Sequence, residues 1–161
     1  EAAALLANVG LTVSHDGHHK HSYYVIRHSD RLVGLTDAEI ERIALVARYH
    51  RKSAPKERHP EFARLGPEER RIVVALAGIL RVAIGLDRTH SRTVAAVRGA
   101  LEPERVVIEV TPTVGRDVEL ALHVAAERAG VLAEVLDRPV EVVVADPRAR
   151  REEAATRSSE G

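Results

Sequence analysis

Residues 67–88 read PEERRIVVALAGILRVAIGLDR. Ile72, Val73, Leu76, Ala77, Ile79, Leu80, Val82, Ala83 and Leu86 recur at helical spacing. Pro67, Glu68 and Glu69 suit a first turn, because proline lacks an amide hydrogen that the turn leaves unused and carboxylates favour its positive end. Apolar residues surround much of the cylinder, so the stretch predicts the central buried helix. Arg81 and Asp87 break this pattern, and a charge on such a helix needs a partner.

Upstream, Thr36 with Glu39 forms a capping box, and Ile40, Ile43, Ala44 and Ala47 carry a helix to about His50. Residues 18–29 read as helical through Tyr23, Tyr24, Val25 and Ile26, and residues 1–13 as a helix end broken at Gly10. A basic, Pro-containing connection fills 51–66.

Downstream the period falls to two. Val106, Ile108 and Val110 alternate with other residues, as do Val118, Leu120 and Leu122, which predicts two strands joined through Pro112 to Arg116. A helix over 124–137 and a strand over Val140 to Val144 follow. The fold class is therefore mainly α over 1–100, then a small α+β appendage (β-β-α-β) over 101–146. A charged, Ser-containing tail at 147–161 is expected to fray.

Length supports one domain plus a small appendage. The core must be aliphatic, since Tyr23, Tyr24, Tyr49 and Phe62 are the only aromatic residues. A net charge of +0 argues against wholesale binding to nucleic acid. Cysteine is absent, which removes disulfides, thiol nucleophiles and thiolate metal sites and fits a cytoplasmic protein. No apolar run approaches the roughly 18–20 residues that span a bilayer. The chain enters an apolar helical pattern directly from Glu1, and so reads as a fragment of a longer protein.

Seven of the nine histidines lie between His15 and His59. Imidazoles bind metals, hold phosphates or shuttle protons near neutral pH. A metal reading joins His18 and His21, one helical turn apart, to His50 and Asp87 at other helix ends, giving nitrogen and oxygen donors. The spacing matches neither a zinc finger nor HExxH. An anion reading joins the histidines to Lys20, Arg48, Arg51 and Lys52, since guanidinium forks and ammonium groups both hold phosphate. Ser14, Ser22 and Ser29 lie near histidines but lack the glycine pattern of a nucleophile elbow. A solvated, His-rich polar face explains the same residues without any ligand.

In order and spacing, four segments resemble the C-terminal region of the exopolyphosphatase / guanosine pentaphosphate phosphohydrolase family. They are Leu5-Leu6-x-x-Val9-Gly10, Ser14 to Ile26, Arg48-Tyr49-His50-Arg51-Lys52, and Leu80-Arg81-Val82-Ala83-x-Gly85-Leu86-Asp87-Arg88. The likeness spans about residues 1–145. It implies an HD-like helical module followed by a small α/β piece, with the catalytic actin-like domains outside this chain. It also implies a basic channel for polyphosphate or a guanosine pentaphosphate-like ligand, and a homodimeric parent. One position departs. Where the family carries His-Asp/Glu, this chain has Ala7-Asn8, which removes two metal ligands and leaves His50 and Asp87 as weak candidates.

These readings combine into an accessory domain that binds a polyanion through His18, His19, Lys20, His21, Arg48, Arg51 and Lys52. The fragment alone is inactive and needs no cofactor; a divalent metal belongs, if anywhere, to the full-length parent. Two alternatives stand beside it: a metal-dependent HD phosphohydrolase acting on nucleotides or phosphoesters, and a non-catalytic dimerisation module. Neither a membrane nor a specific nucleic acid is an expected partner. If the histidines carry the site, affinity rises as pH falls through about 6.5.

Overall fold

The long helix α5 (Pro67–Leu86) forms over the whole predicted stretch, and the rest of the chain packs on two of its faces. The computed structural model describes residues 1–88 and 90–146. Before α5 come α1 (Ala2–Leu6), a 3-10 turn (Val9–Thr12), α2 (His18–Arg27), α3 (Asp37–Arg48) and the one-turn α4 (Pro60–Ala63). After it come β1 (Val94–Leu101), β2 (Val106–Pro112), α6 (Glu119–Glu127), α7 (Gly130–Leu136) and β3 (Val140–Val144).

Helix α3 starts where its capping box predicts. Thr36 Oγ1 accepts from the Glu39 amide at 3.3 Å, and the Glu39 carboxylate accepts from the Thr36 amide at 2.8 Å. One face of α3 packs Ile40, Ala44 and Ala47 against Ile26 of α2. The opposite side packs Leu45 and Val46 against Val73, Ala77 and Leu80 of α5. Arg42 and Glu69 tie the two helices at their edge with a bidentate pair, at 2.6 and 3.1 Å.

The predicted break at Gly10 is instead a close crossing. A Cβ there would run into the backbone of His18 and Ser22 in α2. The fully buried Ser22 hydroxyl closes the junction, accepting from the Gly10 amide at 3.0 Å and donating to the Ala7 carbonyl at 2.7 Å. Backbone groups freed by the irregular turn are thereby satisfied.

Helix α5 is less enclosed than its composition suggests. Val73, Ala77 and Leu80 enter one core and Val82 and Leu86 a second, while Leu76 and Ile79 stay largely exposed. The second core lies under a three-stranded sheet of order β1-β2-β3. Strands β1 and β2 are antiparallel; β2 and β3 are parallel, and α6 and α7 supply the crossover. Gly85 lets the backbones of α5 and α6 meet, since a Cβ there would lie 2.7 Å from Ala125 Cα.

The predicted strand at 118–122 is a helix. Asp117 Oδ1 accepts from the Glu119 amide at 2.8 Å, and Val118, Ala121 and Ala125 are buried at helical spacing while Leu120 points out. The Val–Leu–Leu alternation matched a strand because the inward residue between the two leucines, Ala121, is small. The single helix expected over 124–137 is the end of α6 plus α7, separated at Arg128 and Ala129. Strand β1 was not foreseen and opens the sheet at Val94, ahead of residue 101 where the sequence places the appendage. The tail at 147–161 lies outside the described residues.

The Gly10 crossing makes a direct test. Gly10→Ala is expected to lose about 3 kcal/mol or more in urea denaturation, because the obstructing atoms are backbone and cannot rotate away. Gly130→Ala, in a helix with open space at the added carbon, is expected to be neutral or slightly stabilising.

Candidate functional site

Helix α3 ends at Arg48, and the chain turns sharply over Tyr49, His50, Arg51 and Lys52. Lys52 holds φ at +57°, an uncommon value for a side-chain-bearing residue. Arg81 fixes this corner. Its Nε donates to the Tyr49 carbonyl and its Nη2 to the Lys52 carbonyl, both at 2.8 Å. The guanidinium meets carbonyls that the helix end leaves without partners, at the end where positive charge is favoured. This is the partner that Arg81 requires. Burial first, then the charge of Arg128, push its pKa down from the ordinary arginine value.

The corner overhangs a cleft of about 600 Å³. Ala7 and Asn8 lie on one side, His15 and His18 on another, His50 and Arg51 above, and Asp87, Arg88 and His90 at the end of α5. Arg128, from the junction of α6 and α7, closes the remaining side. The His18 and His50 rings stack with centroids 5.5 Å apart. His18 Nδ1 lies 3.2 Å from the His15 carbonyl, so the tautomer with a proton on Nδ1 leaves the Nε2 lone pair to accept from Arg51 Nη1 at 3.3 Å. His50 likewise donates from Nδ1 to the Ala47 carbonyl at 2.5 Å.

The charges in this cleft are unbalanced. Among the described residues no carboxylate lies within ion-pairing distance of Arg51, Arg88 or Arg128. Burial, then the neighbouring charges of Arg88 and Arg51, lower the Arg128 pKa from its ordinary value. Among the described residues Asp87 is the one carboxylate on the cleft wall, and it is engaged by His90, whose Nδ1 lies 3.0 Å from its Oδ2. Three guanidinium groups on one concave surface give the cleft a positive potential.

The predicted residues divide. His18 and Arg51 line the cleft, together with His50 and Asp87. Lys20 and Lys52 are exposed and His21 half-buried, all outside its lining. Arg48 lies between the Tyr23 and Tyr49 rings and pairs with Glu61 at 3.0 Å. His19 is buried behind the site with Nδ1 lacking a partner, and burial followed by the charges of His50 and Arg51 pushes its pKa down to about 4. Burial also lowers the His50 pKa. Arg88 and Arg128 were absent from the predicted set. Arg88 was legible as the residue that follows α5; Arg128 was hidden by the misread strand before it.

The two positions where the resemblance implies a His-Asp pair hold the methyl group of Ala7 and the amide of Asn8, so the donor set is short of the ligands that a divalent site of that kind uses. Among the described residues no group of three or more His, Asp or Glu is placed to hold an ion.

The family model for domain III of Ppx/GppA phosphatases matches residues 1–122. The match covers most of the chain, and the chain belongs to this family. It runs through α5, both antiparallel strands and into α6, so it contains every element of the cleft but Arg128. Among the described residues no helix is long and apolar enough to cross a membrane.

The buried histidines set the acid stability. His19 has a folded pKa near 4 against a reference of 6.5, so between these values the unfolded chain binds a proton that the folded chain refuses. Stability is expected to be full above pH 6.5 and to decline as pH falls towards 4, with His50 acting in the same direction. Urea midpoints measured from pH 7.5 to 4.5 check this, and His19→Asn should flatten the slope.

Proposed function

We propose that this chain is an accessory domain of an exopolyphosphatase-type protein and that its cleft binds polyphosphate or a comparable polyanion. The observation that carries the reading is the convergence of Arg51, Arg88 and Arg128 without carboxylate partners among the described residues. Each guanidinium can grip one phosphate through two parallel hydrogen bonds, and a flexible chain of phosphates can present one to each. Arg51 would exchange a long contact with the His18 ring for a charge-assisted one.

In this reading the arginines supply the charge and the histidines shape the wall. The His50 pKa is lowered, so its protonation does not drive binding at neutral pH. Hydrolysis is assigned to the catalytic actin-like domains that the family resemblance implies for the parent protein. A homodimeric parent in the cytoplasm completes the proposal; the absence of cysteine supports the location.

Binding is expected to weaken steeply with salt. Neutralising three phosphates predicts a slope of log affinity against log salt of roughly −2. Arg128→Ala should lower affinity by about 10-fold or more and make the slope shallower by about 0.7. Lys20→Ala, outside the cleft, should change neither substantially. Calorimetric titration with polyphosphate of defined length reads all three, and no binding at low ionic strength overturns the proposal.

A further inference from the structure

A second depression of about 570 Å³ lies on the other side of the end of α5. Strand register explains it. Val97 and Gly99 of β1 pair with Val110 and Ile108, so they face the helix layer. Helices α6 and α7 cover β2 and β3 but leave β1 open: Val97 is 52 % exposed, and space around Gly99 is free for 4 Å from an added Cβ. The result is a slot between β1, α7 and the exposed strip of α5, walled by Ile79, Val82, Val97, Ile108, Leu132 and Leu136.

Two features identify its occupant. The walls are aliphatic with no aromatic ring, so they give a nucleobase nothing to stack on, and polar residues gather at one end, at Asp87, Ser91, Arg92 and Thr93. That same end adjoins the arginine cleft. Ala83 and Asp87, one helical turn apart on α5, line both depressions. An apolar site with a few convergent polar groups at its mouth, in this volume range, suits a small molecule with a polar head.

We infer that slot and cleft together take one amphiphilic anion: an aliphatic chain in the slot and a phosphate head across the Ala83–Asp87 ridge, against Arg88 and Arg128. This rests on the anion-binding reading above and extends it to the class of ligand. The tail at 147–161 is a poor rival occupant, since its sequence PRARREEAATRSSEG has no large aliphatic residue.

The test compares decyl phosphate below its critical micelle concentration with inorganic phosphate, decanol and polyphosphate by calorimetry. Each buried methylene contributes roughly fourfold, so decyl phosphate is expected to bind at least about 100-fold tighter than phosphate. Gly99→Leu fills the slot from a position with room for the side chain, and should weaken decyl phosphate at least about 10-fold while polyphosphate binding stays unchanged. Arg128→Ala should weaken both. Decyl phosphate no tighter than phosphate, with polyphosphate still bound, overturns this inference alone; loss of both overturns the anion site as well. Decanol binding as tightly as decyl phosphate, or binding seen only on phosphatidate vesicles, also overturns it. So does a dimer that Gly99→Leu dissociates while decyl phosphate stays silent.

Discussion

Arg81 reaches from the middle of α5 to the carbonyls of Tyr49 and Lys52, and the geometry of the cleft depends on that grip. Without it the Tyr49 and Lys52 carbonyls at the corner after α3 would lose these partners. His50 and Arg51 sit between the two anchored carbonyls, so their position over the end of α5 is inherited from Arg81. A cation at this point also suits the negative end of α3. The same guanidinium lies near Arg128 and adds to the positive field without itself lining the cleft. Arginine is suited to this place because its fork serves two carbonyls at once, whereas lysine offers a point charge.

The constraint then passes to α5. Its N-terminal half completes the helical core through Val73, Ala77 and Leu80, and its C-terminal half completes the sheet core through Val82 and Leu86. One rigid element thus sets the distance between the His50 corner and the α6–α7 junction. Close approach at Gly85 brings Arg128 within reach of Arg88. Repulsion among the three arginines opposes folding, and the two cores and the Ser22 junction offset it. A site that is destabilised when empty is the thermodynamic counterpart of one that gains on binding an anion.

Much of the helical part was legible because its signals are local. The capping box at Thr36 and Glu39, the Pro67 start and the demand of Arg81 for a partner are all readable from neighbouring residues, and each is found. The sheet part was less legible. Strand β1 is an edge strand rich in alanine and glycine, mostly exposed, so it lacks the alternation that marks a half-buried strand. Helix α6 buries Ala121 and Ala125, residues too small to outweigh Leu120 and Leu122 in a pattern. The cleft suffered from this second failure: a strand at 118–122 gives no reason to look for Arg128 at a helix end beside α5. His18 and Arg51 were singled out by the clustering of histidines and basic residues along the chain, and both line the cleft.

The histidine run is better understood through what surrounds it than through its count. His19 faces inward among cations with its pKa near 4, and His50 is held down by burial and bonded to Ala47. Their protonation in an empty cleft would add charge to a region already holding three arginines. An anion reverses the sign of that interaction, because each proton then joins a neutralised cluster rather than a repelling one. Under the proposed anion-binding reading, proton uptake would accompany binding. The arginines hold their charge at any physiological pH, so the cleft keeps its attraction for phosphate where histidine alone would lose it.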